Sequence, residues 1–249
     1  MTPLTNHSIS VDCVVFGFDG KLLRVLLIKR TDAGRKLPEE ICGYKLPGSL
    51  IFENEDLNSS AHRILSEYIG ASDIYLKQLH VFSDPDRVRG YELDWINEHY
   101  GVSTGRVVTV AYYSLVKLTP KMASSAAMHE AEWVDIQSVR RLAMDHKRIL
   151  TEALGALNRQ FISEPIAFEL LPRKFTIRQL QTLYEAILGI EIDNRNFRKK
   201  VLSSGYLVAT DEKQKEVAHK PALYYTFNKN RYERDTKRKF RLNFINWQG

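Results

Sequence analysis

The first half of the chain shows the hydrophobic pattern of β-strands. Residues 9–18 and 21–29 are two β-branched, apolar runs separated by Asp19-Gly20. Because Asp-Gly favours the type I′ turn of a two-residue hairpin, these runs predict an antiparallel strand pair. Three later apolar runs predict further strands, at residues 74–83, 106–118 and 132–136.

A helical period interrupts this strand pattern between Leu57 and Ile69. Asp56 is a suitable N-cap and Gly70 a suitable C-terminal stop for that helix. A shorter helix is predicted at residues 92–100, inside the long connection between two strands. Strands that alternate with a few helices predict an α+β domain in which helices cover a mixed sheet.

The pattern becomes helical again over residues 145–162, and Pro165 then marks a boundary. We therefore predict three parts: a first domain over residues 1–145, a linker helix over residues 146–165 and a second domain over residues 166–249.

The second domain has the element order of a winged helix. Thr176 begins one helix with capping-box spacing to Gln179, and Asp193 begins another. Two strand-like segments follow at residues 207–210 and 222–227. A helix-turn-helix followed by such a hairpin is the winged-helix layout, with the tip of the wing close to phosphates.

Composition excludes several classes of protein. No stretch approaches the roughly 20 apolar residues of a membrane-spanning helix, and no secretory signal is visible, so we expect a cytoplasmic protein without a membrane partner. The only two cysteines, Cys13 and Cys42, are too few for a disulfide framework or a tetrahedral zinc site.

The net charge of +6 is unevenly distributed. From residue 165 onward there are 17 Lys and Arg against 9 Asp and Glu, which leaves 19 basic and 21 acidic residues before it. The two parts therefore carry +8 and −2. A near-neutral domain joined to a basic one predicts a polyanionic partner, with a merely soluble basic surface as the alternative.

The helix that begins at Asp193 carries a polar face suited to a DNA major groove. Five of its polar side chains fall within one arc of roughly 140°, while Phe197 and Val201 lie opposite. Arg195 can pair with guanine and Asn196 with adenine, whereas Arg198 falls outside the arc and is expected to reach a phosphate or bridge structure. An ordinary solvated face is the alternative. The predicted DNA-binding residues are Thr176, Arg178, Arg195, Asn196, Arg198, Lys199, Lys200, Ser203 and Lys220.

The segment from Leu46 to Gly70 resembles the Nudix box, in which a glycine, a glutamate and an Arg-Glu-aliphatic-x-Glu-Glu-x-Gly run recur at fixed spacing. Four further positions match the box: Glu55, Arg63, Leu65 and Glu67. Three positions depart from it: Ser49, Ile64 and Tyr68.

These departures fall on the helix face that holds Mg²⁺ in Nudix enzymes, as the resemblance implies. Ile64, Glu67 and Tyr68 have i, i+3, i+4 spacing and share that face. Since Mg²⁺ usually takes one or two carboxylates plus substrate phosphates, we expect no catalytic residues, no metal and no cofactor. The alternatives are an active Nudix diphosphatase and, for Glu67, an ion pair with Arg63.

The two halves together resemble the Nudix-related transcriptional regulators, in which a catalytically degenerate Nudix domain precedes a winged helix. The likeness covers nearly the whole chain and includes residues 84–87, 165–168, 196–200 and 220–222. It implies a homodimeric bacterial repressor that releases a double-stranded DNA operator when a small molecule binds the Nudix domain. A basic interaction protein without sequence-specific DNA recognition is a further alternative.

The resemblance leaves two ligands open. Some members respond to ADP-ribose and control NAD synthesis, and a Bacteroides branch similar to this chain responds to L-arabinose. We expect L-arabinose, because a diphosphate requires metal, basic side chains or helix N-termini. A pentose needs only a few polar groups and an apolar wall. Packing of the loop is the alternative role for Trp95. The predicted effector-binding residues are Arg30, Lys45, Glu67 and Trp95.

Overall fold

The computed structural model describes residues 5–30, 42–70, 74–215 and 221–235. The chain divides into two compact units, Met1–Asp19 with Leu23–Leu157, and Gly20–Leu22 with Asn158–Gly249. The helix over residues 146–163 contributes residues to both units. The domain boundaries expected at residues 145 and 165 stay predictions.

The first unit contains the mixed sheet that the sequence predicts. Its strands are β1 (Thr5–Phe18), β2 (Leu23–Lys29), β3 (Tyr44–Lys45), β4 (Gly48–Phe52), β5 (Lys77–Phe82), β6 (Val108–Lys117) and β7 (Ala131–Asp135). The strand order is β3-β2-β1-β6-β5, with β4 paired to β1 and β7 paired to β2. β1 and β6 run parallel, and the other pairs are antiparallel.

The predicted hairpin forms, but its ladder is short. Residues 16–18 of β1 pair with residues 23–25 of β2, and β1 pairs with β6 over residues 9–18. β1 is therefore a central strand of the sheet, which explains why Val11, Val14 and Val15 are fully buried.

Four helices accompany this sheet: α1 (Leu57–Ile69), α2 (Tyr91–Tyr100), α3 (Pro120–Met128) and α4 (His146–Ser163). The prediction for α1 is confirmed at both ends. Asp56 accepts a hydrogen bond from the Ser59 N–H at 2.7 Å, and Gly70 closes the helix with φ 61°. α3 was not predicted, although Thr119 as N-cap with Pro120 at the first helical position is a recognised start signal.

The second unit has the predicted winged-helix order. Its elements, after the end of α4, are α5 (Ala167–Leu170), α6 (Ile177–Leu188), α7 (Asn194–Ser203), β8 (Leu207–Lys213), β9 (Leu223–Phe227) and α8 (Lys229–Asp235). β8 and β9 form an antiparallel wing. Tyr184 of α6 packs edge-on against Phe161 and Phe197, so α4, α6 and α7 share one aromatic core. Within the described residues, none of the helices is both long and apolar enough to cross a membrane.

Candidate functional site

A cleft of about 230 Å³ opens in the first unit beside α1. Ile64, Glu67 and Tyr68 line it from α1, as their helical spacing predicts. The structure also brings the four predicted effector-binding side chains into this one cleft: Arg30, Lys45, Glu67 and Trp95.

The α1 face combines one carboxylate with an apolar and a phenolic side chain. Ile64 is 1% exposed and belongs to the core. Burial, together with the nearby Glu67 carboxylate, raises the pKa of Tyr68 to about 12, so the phenol stays protonated at neutral pH. Among the residues that the structure describes, no group of three or more His, Cys, Asp or Glu side chains is placed to hold a metal ion.

Glu55 and Arg63, two matches to the Nudix box, pair with each other. The Arg63 guanidinium donates to both oxygens of Glu55, at 2.5 and 3.0 Å, and lies over the Phe52 ring. Partial burial is the largest single influence on the pKa of Glu55 and raises it, but the hydrogen bonds from Arg63, the Phe52 amide and Ser60, together with the charge of Arg63, outweigh burial, so the pKa is lowered. The alternative ion pair between Arg63 and Glu67 is therefore wrong, because Glu55 is the carboxylate that occupies Arg63.

Arg30 is a buried cation whose charge is already compensated. Its Nη2 lies 2.8 Å from Glu92 Oε2, and its guanidinium stands 4.4 Å from the Trp95 ring centroid. Trp95 is 6% exposed and stacks on His99, with ring centroids 4.6 Å apart. Trp95 thus packs α2 against the sheet, as the alternative expected, and also lines the cleft; its contact with an effector stays a prediction.

Two residues that contact Arg30 or Trp95, namely Glu92 and the cleft-lining His99, are missing from the sequence-based set. The signal that could have found them is helical spacing, since Glu92, Trp95 and His99 stand at i, i+3 and i+7 on α2 and so share a face. No such spacing connects Arg30 to Glu92, which are 62 residues apart. Their pairing depends on the sheet topology and is invisible in the sequence.

Lys45 is also buried, and its ammonium group donates to the carbonyl of Gly48 at 3.0 Å. Burial lowers the pKa of Lys45, while the nearby Asp12 carboxylate opposes that shift. Gly48 is required here, because a Cβ at this position would lie 2.0 Å from Asp12 Oδ1.

Next to this cleft lies a buried polar network that the sequence analysis did not predict. Arg87 donates to both oxygens of Asp145, at 3.0 and 2.7 Å, and lies 3.7 Å from Asp12. His146 accepts a hydrogen bond from the Leu46 N–H at Nδ1, at 2.9 Å, and its Nε2 stands 3.6 Å from Asp12 Oδ1. The network ties the start of α4 to the segment that opens the Nudix box.

In the second unit, α7 divides its residues as predicted. Phe197 and Val201 are 1% and 4% exposed, and Asp193 caps the helix by accepting from the Asn196 N–H at 2.8 Å. Arg198, which falls outside the predicted arc, is exposed as well. The remaining predicted residues of this helix are also exposed: Arg195, Asn196, Lys199, Lys200 and Ser203. Their contact with DNA stays a prediction.

The three other predicted DNA-binding residues differ in their surroundings. Thr176 is 2% exposed, and its hydroxyl accepts from the Gln179 N–H in a complete capping box. A direct DNA contact by the Thr176 side chain is therefore wrong, because this side chain is buried and already used as a cap. Arg178 is exposed and lies 3.6 Å from Glu185 of its own helix. Lys220 lies outside the described residues.

Comparison with known families also divides the chain into two parts. A family model described as a NUDIX domain matches residues 6–153. A second, described as the NrtR DNA-binding winged helix domain, matches residues 167–227.

Individual proteins show the same two-part similarity. The chain is 29% identical over 223 residues to the ADPR responsive transcriptional repressor NtrR of Acinetobacter baylyi, covering 88% of this chain and 81% of that one. It is 26% identical to Shewanella oneidensis NrtR in a crystal structure with a 27mer DNA, with a TM-score of 0.64 and coverage of 88% and 93%. A MutT/nudix family protein from Enterococcus faecalis, 23% identical with a TM-score of 0.57 and coverage of 91% and 88%, shares the fold.

The Nudix match alone spans more than half of the chain, and the winged helix follows it in the order that the structure shows. The chain therefore belongs to the Nudix family, and its Nudix domain is followed by a domain that matches the NrtR winged helix.

Proposed function

We propose that this protein is a transcriptional repressor that binds an operator through its winged helix and releases it when a small molecule binds the Nudix cleft. The observation that carries the proposal is the exposed basic face of α7 in the helix-turn-helix unit. The Nudix unit of the same chain contains a cleft for a small molecule. A homodimer would present two such helices to a pseudo-palindromic operator, with half-sites spaced by the duplex turn.

On α7, Arg195 and Asn196 are the proposed base-reading residues. Both are exposed in the first turn of the helix, which is the part that reaches base edges in helix-turn-helix proteins. Lys199 and Arg198 then supply positive charge for phosphates, which positions the helix without reading sequence. Support for this role comes from the similarity to NrtR in its DNA-bound crystal structure.

For the ligand we propose ADP-ribose. The similar repressor of Acinetobacter baylyi is ADPR responsive, whereas none of the relatives described above supports L-arabinose, the sugar expected from the sequence. In this cleft the exposed His99 ring, which stacks on the buried Trp95, offers a stacking surface. The Lys and Arg residues that line the cleft are Lys29, Arg30 and Lys45, and they would supply positive charge for a diphosphate.

L-Arabinose is the second candidate, and it is favoured by the state of two of those cations. Arg30 is neutralised by Glu92, and Lys45 donates to a carbonyl. Two cations that already have partners and two exposed carboxylates, Glu67 and Glu130, suit the hydroxyl groups of a sugar better than a dianion. A cleft of about 230 Å³ also accommodates a pentose with its hydration.

We further propose that the Nudix unit senses its ligand without hydrolysing it. Isoleucine at position 64 and a protonated phenol at position 68 provide no carboxylate beside Glu67. A diphosphatase would need that face to fix Mg²⁺ on the substrate.

Operator selection followed by ligand titration tests the proposal. Random duplexes are enriched on the full chain, and the preferred duplex is labelled and followed by anisotropy. We expect a palindromic sequence, and release of the complex by ADP-ribose at concentrations where AMP and D-xylose have no effect. Release by L-arabinose and not by ADP-ribose would show that L-arabinose is the effector. Enrichment of no preferred sequence would contradict the repressor itself.

A further inference from the structure

The turn between α6 and α7 is held by two side chains of α6. Ile192 lies directly before Asp193, the N-cap of α7. The Ile192 carbonyl accepts a hydrogen bond from Gln181 Nε2 at 2.8 Å, and the Ile192 N–H donates to Glu185 Oε1 at 3.2 Å. Gln181 Nε2 also donates to Glu185 Oε1, at 2.8 Å. These three bonds close a ring between Gln181, Glu185 and Ile192, the turn clamp, which fixes the residue that precedes α7.

The turn has little other support of its own. Gly189 ends α6 with φ 66°, and the next two residues, Ile190 and Glu191, are exposed. Among the backbone-to-backbone hydrogen bonds of the described residues, none involves Ile192. Packing of Phe197 against Tyr184 holds the second turn of α7. The turn clamp therefore adds a separate attachment at the start of α7, and two attachments along one helix fix its direction.

The turn clamp leaves one polar atom buried without a partner. Gln181 is 1% exposed, and its Nε2 makes both hydrogen bonds of the amide, while its Oε1 has no hydrogen-bond partner within the described residues. A buried oxygen without a partner is destabilising, and an apolar side chain of the same size would avoid it. A buried polar residue that is unfavourable for stability is typical of a position with a functional role.

We infer that Gln181 and Glu185 are positioning residues for base recognition, acting through the direction of α7; this inference rests on the proposed function. Arg195 and Asn196, the proposed base-reading residues, follow Asp193 in the first turn of α7. Bidentate hydrogen bonds to base edges need a fixed geometry, whereas attraction to phosphates depends on charge and tolerates a small rotation of the helix. The turn clamp thus sets base preference and leaves the affinity for DNA in general to the exposed cations.

Two variants test the turn clamp directly. Gln181→Leu removes two of its three bonds at nearly constant size. Its affinity for the preferred duplex should fall about tenfold, as for the loss of one base-specific contact, while the affinity for an unrelated duplex stays within about twofold of the wild type. Glu185→Gln is the conservative variant, because its amide oxygen can still accept both bonds, so base preference should be retained. It loses only a carboxylate charge that lies 3.6 Å from the exposed Arg178.

Gln160→Leu is the matched control. Gln160 donates to Glu164 at 2.7 Å with the same i, i+4 spacing, but both residues lie on or next to α4 and not at the turn before α7. This variant breaks the same kind of bond and should keep the wild-type base preference.

Each full-length variant is titrated with the preferred and the unrelated duplex, and its thermal unfolding is measured. A merely structural role of Gln181 would lower stability and both affinities together. A positioning role lowers only the ratio of the two affinities, with a Tm within about 4 °C of the wild type. Hydrogen exchange at the Ile192 amide should be faster in Gln181→Leu and unchanged in Gln160→Leu.

The failure of this inference differs from that of the proposed function. Folded Gln181→Leu protein with wild-type base preference, or an equal loss of preference in Gln160→Leu, would overturn the positioning role and leave the repressor in place. A wild-type chain that enriches no preferred duplex would overturn both.

Discussion

The cleft of the first unit and the α7 face of the second unit use basic side chains in opposite ways. In the first unit Arg30 and Arg87 are buried and paired with carboxylates. On α7, Arg195 and Lys199 are exposed and make no ion pair with any residue in the described part of the chain. A buried charge is tolerable only with a partner, whereas an exposed and unpaired one remains available to a polyanion. Counting basic residues therefore says little until their burial is known.

The largest predicted effect is a loss of folding stability when the buried ion pair between Arg87 and Asp145 is broken. Arg87→Met would leave Asp145 and Asp12 buried without their cation, at a cost of about 3–5 kcal/mol in the free energy of unfolding. Urea denaturation measures this loss. Arg89→Met is the matched control two residues away, because Arg89 is exposed and pairs with Asp86 at the surface. Equal losses in the two variants would show that burial is not what separates them.

The α7 face gives the next largest effect, on DNA affinity and not on stability. Arg195→Ala is expected to weaken operator binding by about 1–3 kcal/mol and to relax the base preference at one position. Lys199→Ala should weaken binding to all duplexes alike. It should also reduce the slope of log affinity against log salt concentration by about one. Lys121→Ala, an exposed cation of the first unit, serves as the control. If Arg195→Ala changed affinity without changing base preference, Arg195 would be a phosphate contact.

The difference between the exposed α7 face and the buried pairs of the cleft also explains which features the sequence could predict. The faces of α6 and α7 follow from helical period and caps, which are local signals, and Asp193, Phe197 and Val201 lie where that period places them. Thr176 shows the limit of such reasoning. Its capping box was recognised, yet the same residue was assigned to DNA although the cap uses its hydroxyl.

The sequence predicted residues that line the cleft, but it did not predict which side chains pair with one another. Arg30, Lys45, Glu67 and Trp95 do line one cavity. The sequence could not show that Arg30 is matched by Glu92, or that Arg87 meets Asp145 across 58 residues. Such partners are set by strand order and register, which lie beyond any local pattern.

Lowering the pH should destabilise the first unit through its buried polar network and should leave the α7 face unaffected. Burial is the main cause that lowers the pKa of His146, so the folded state favours neutral imidazole. The unfolded chain then binds the additional proton, and stability falls as the pH drops below about 6.5, the ordinary histidine pKa. Unfolding free energies between pH 7.5 and 5.5 measure this slope. His146→Gln should reduce this slope, and His99→Gln should reduce it as well, because burial also lowers the pKa of His99.

The smallest effect is expected at Glu67, the one carboxylate on the α1 face of the cleft. Glu67 is exposed and has no hydrogen bond or ion pair within the described residues, so Glu67→Gln should change the free energy of unfolding by less than about 0.5 kcal/mol. With ADP-ribose and Mg²⁺, both the wild type and this variant should produce no AMP, because Ile64 and Tyr68 offer no second carboxylate. Chromatography of the nucleotide products detects the reaction, with an active Nudix diphosphatase as the positive control. AMP formed by the wild type and lost in Glu67→Gln would mean that one carboxylate suffices, and the first unit would then be an enzyme as well as a sensor.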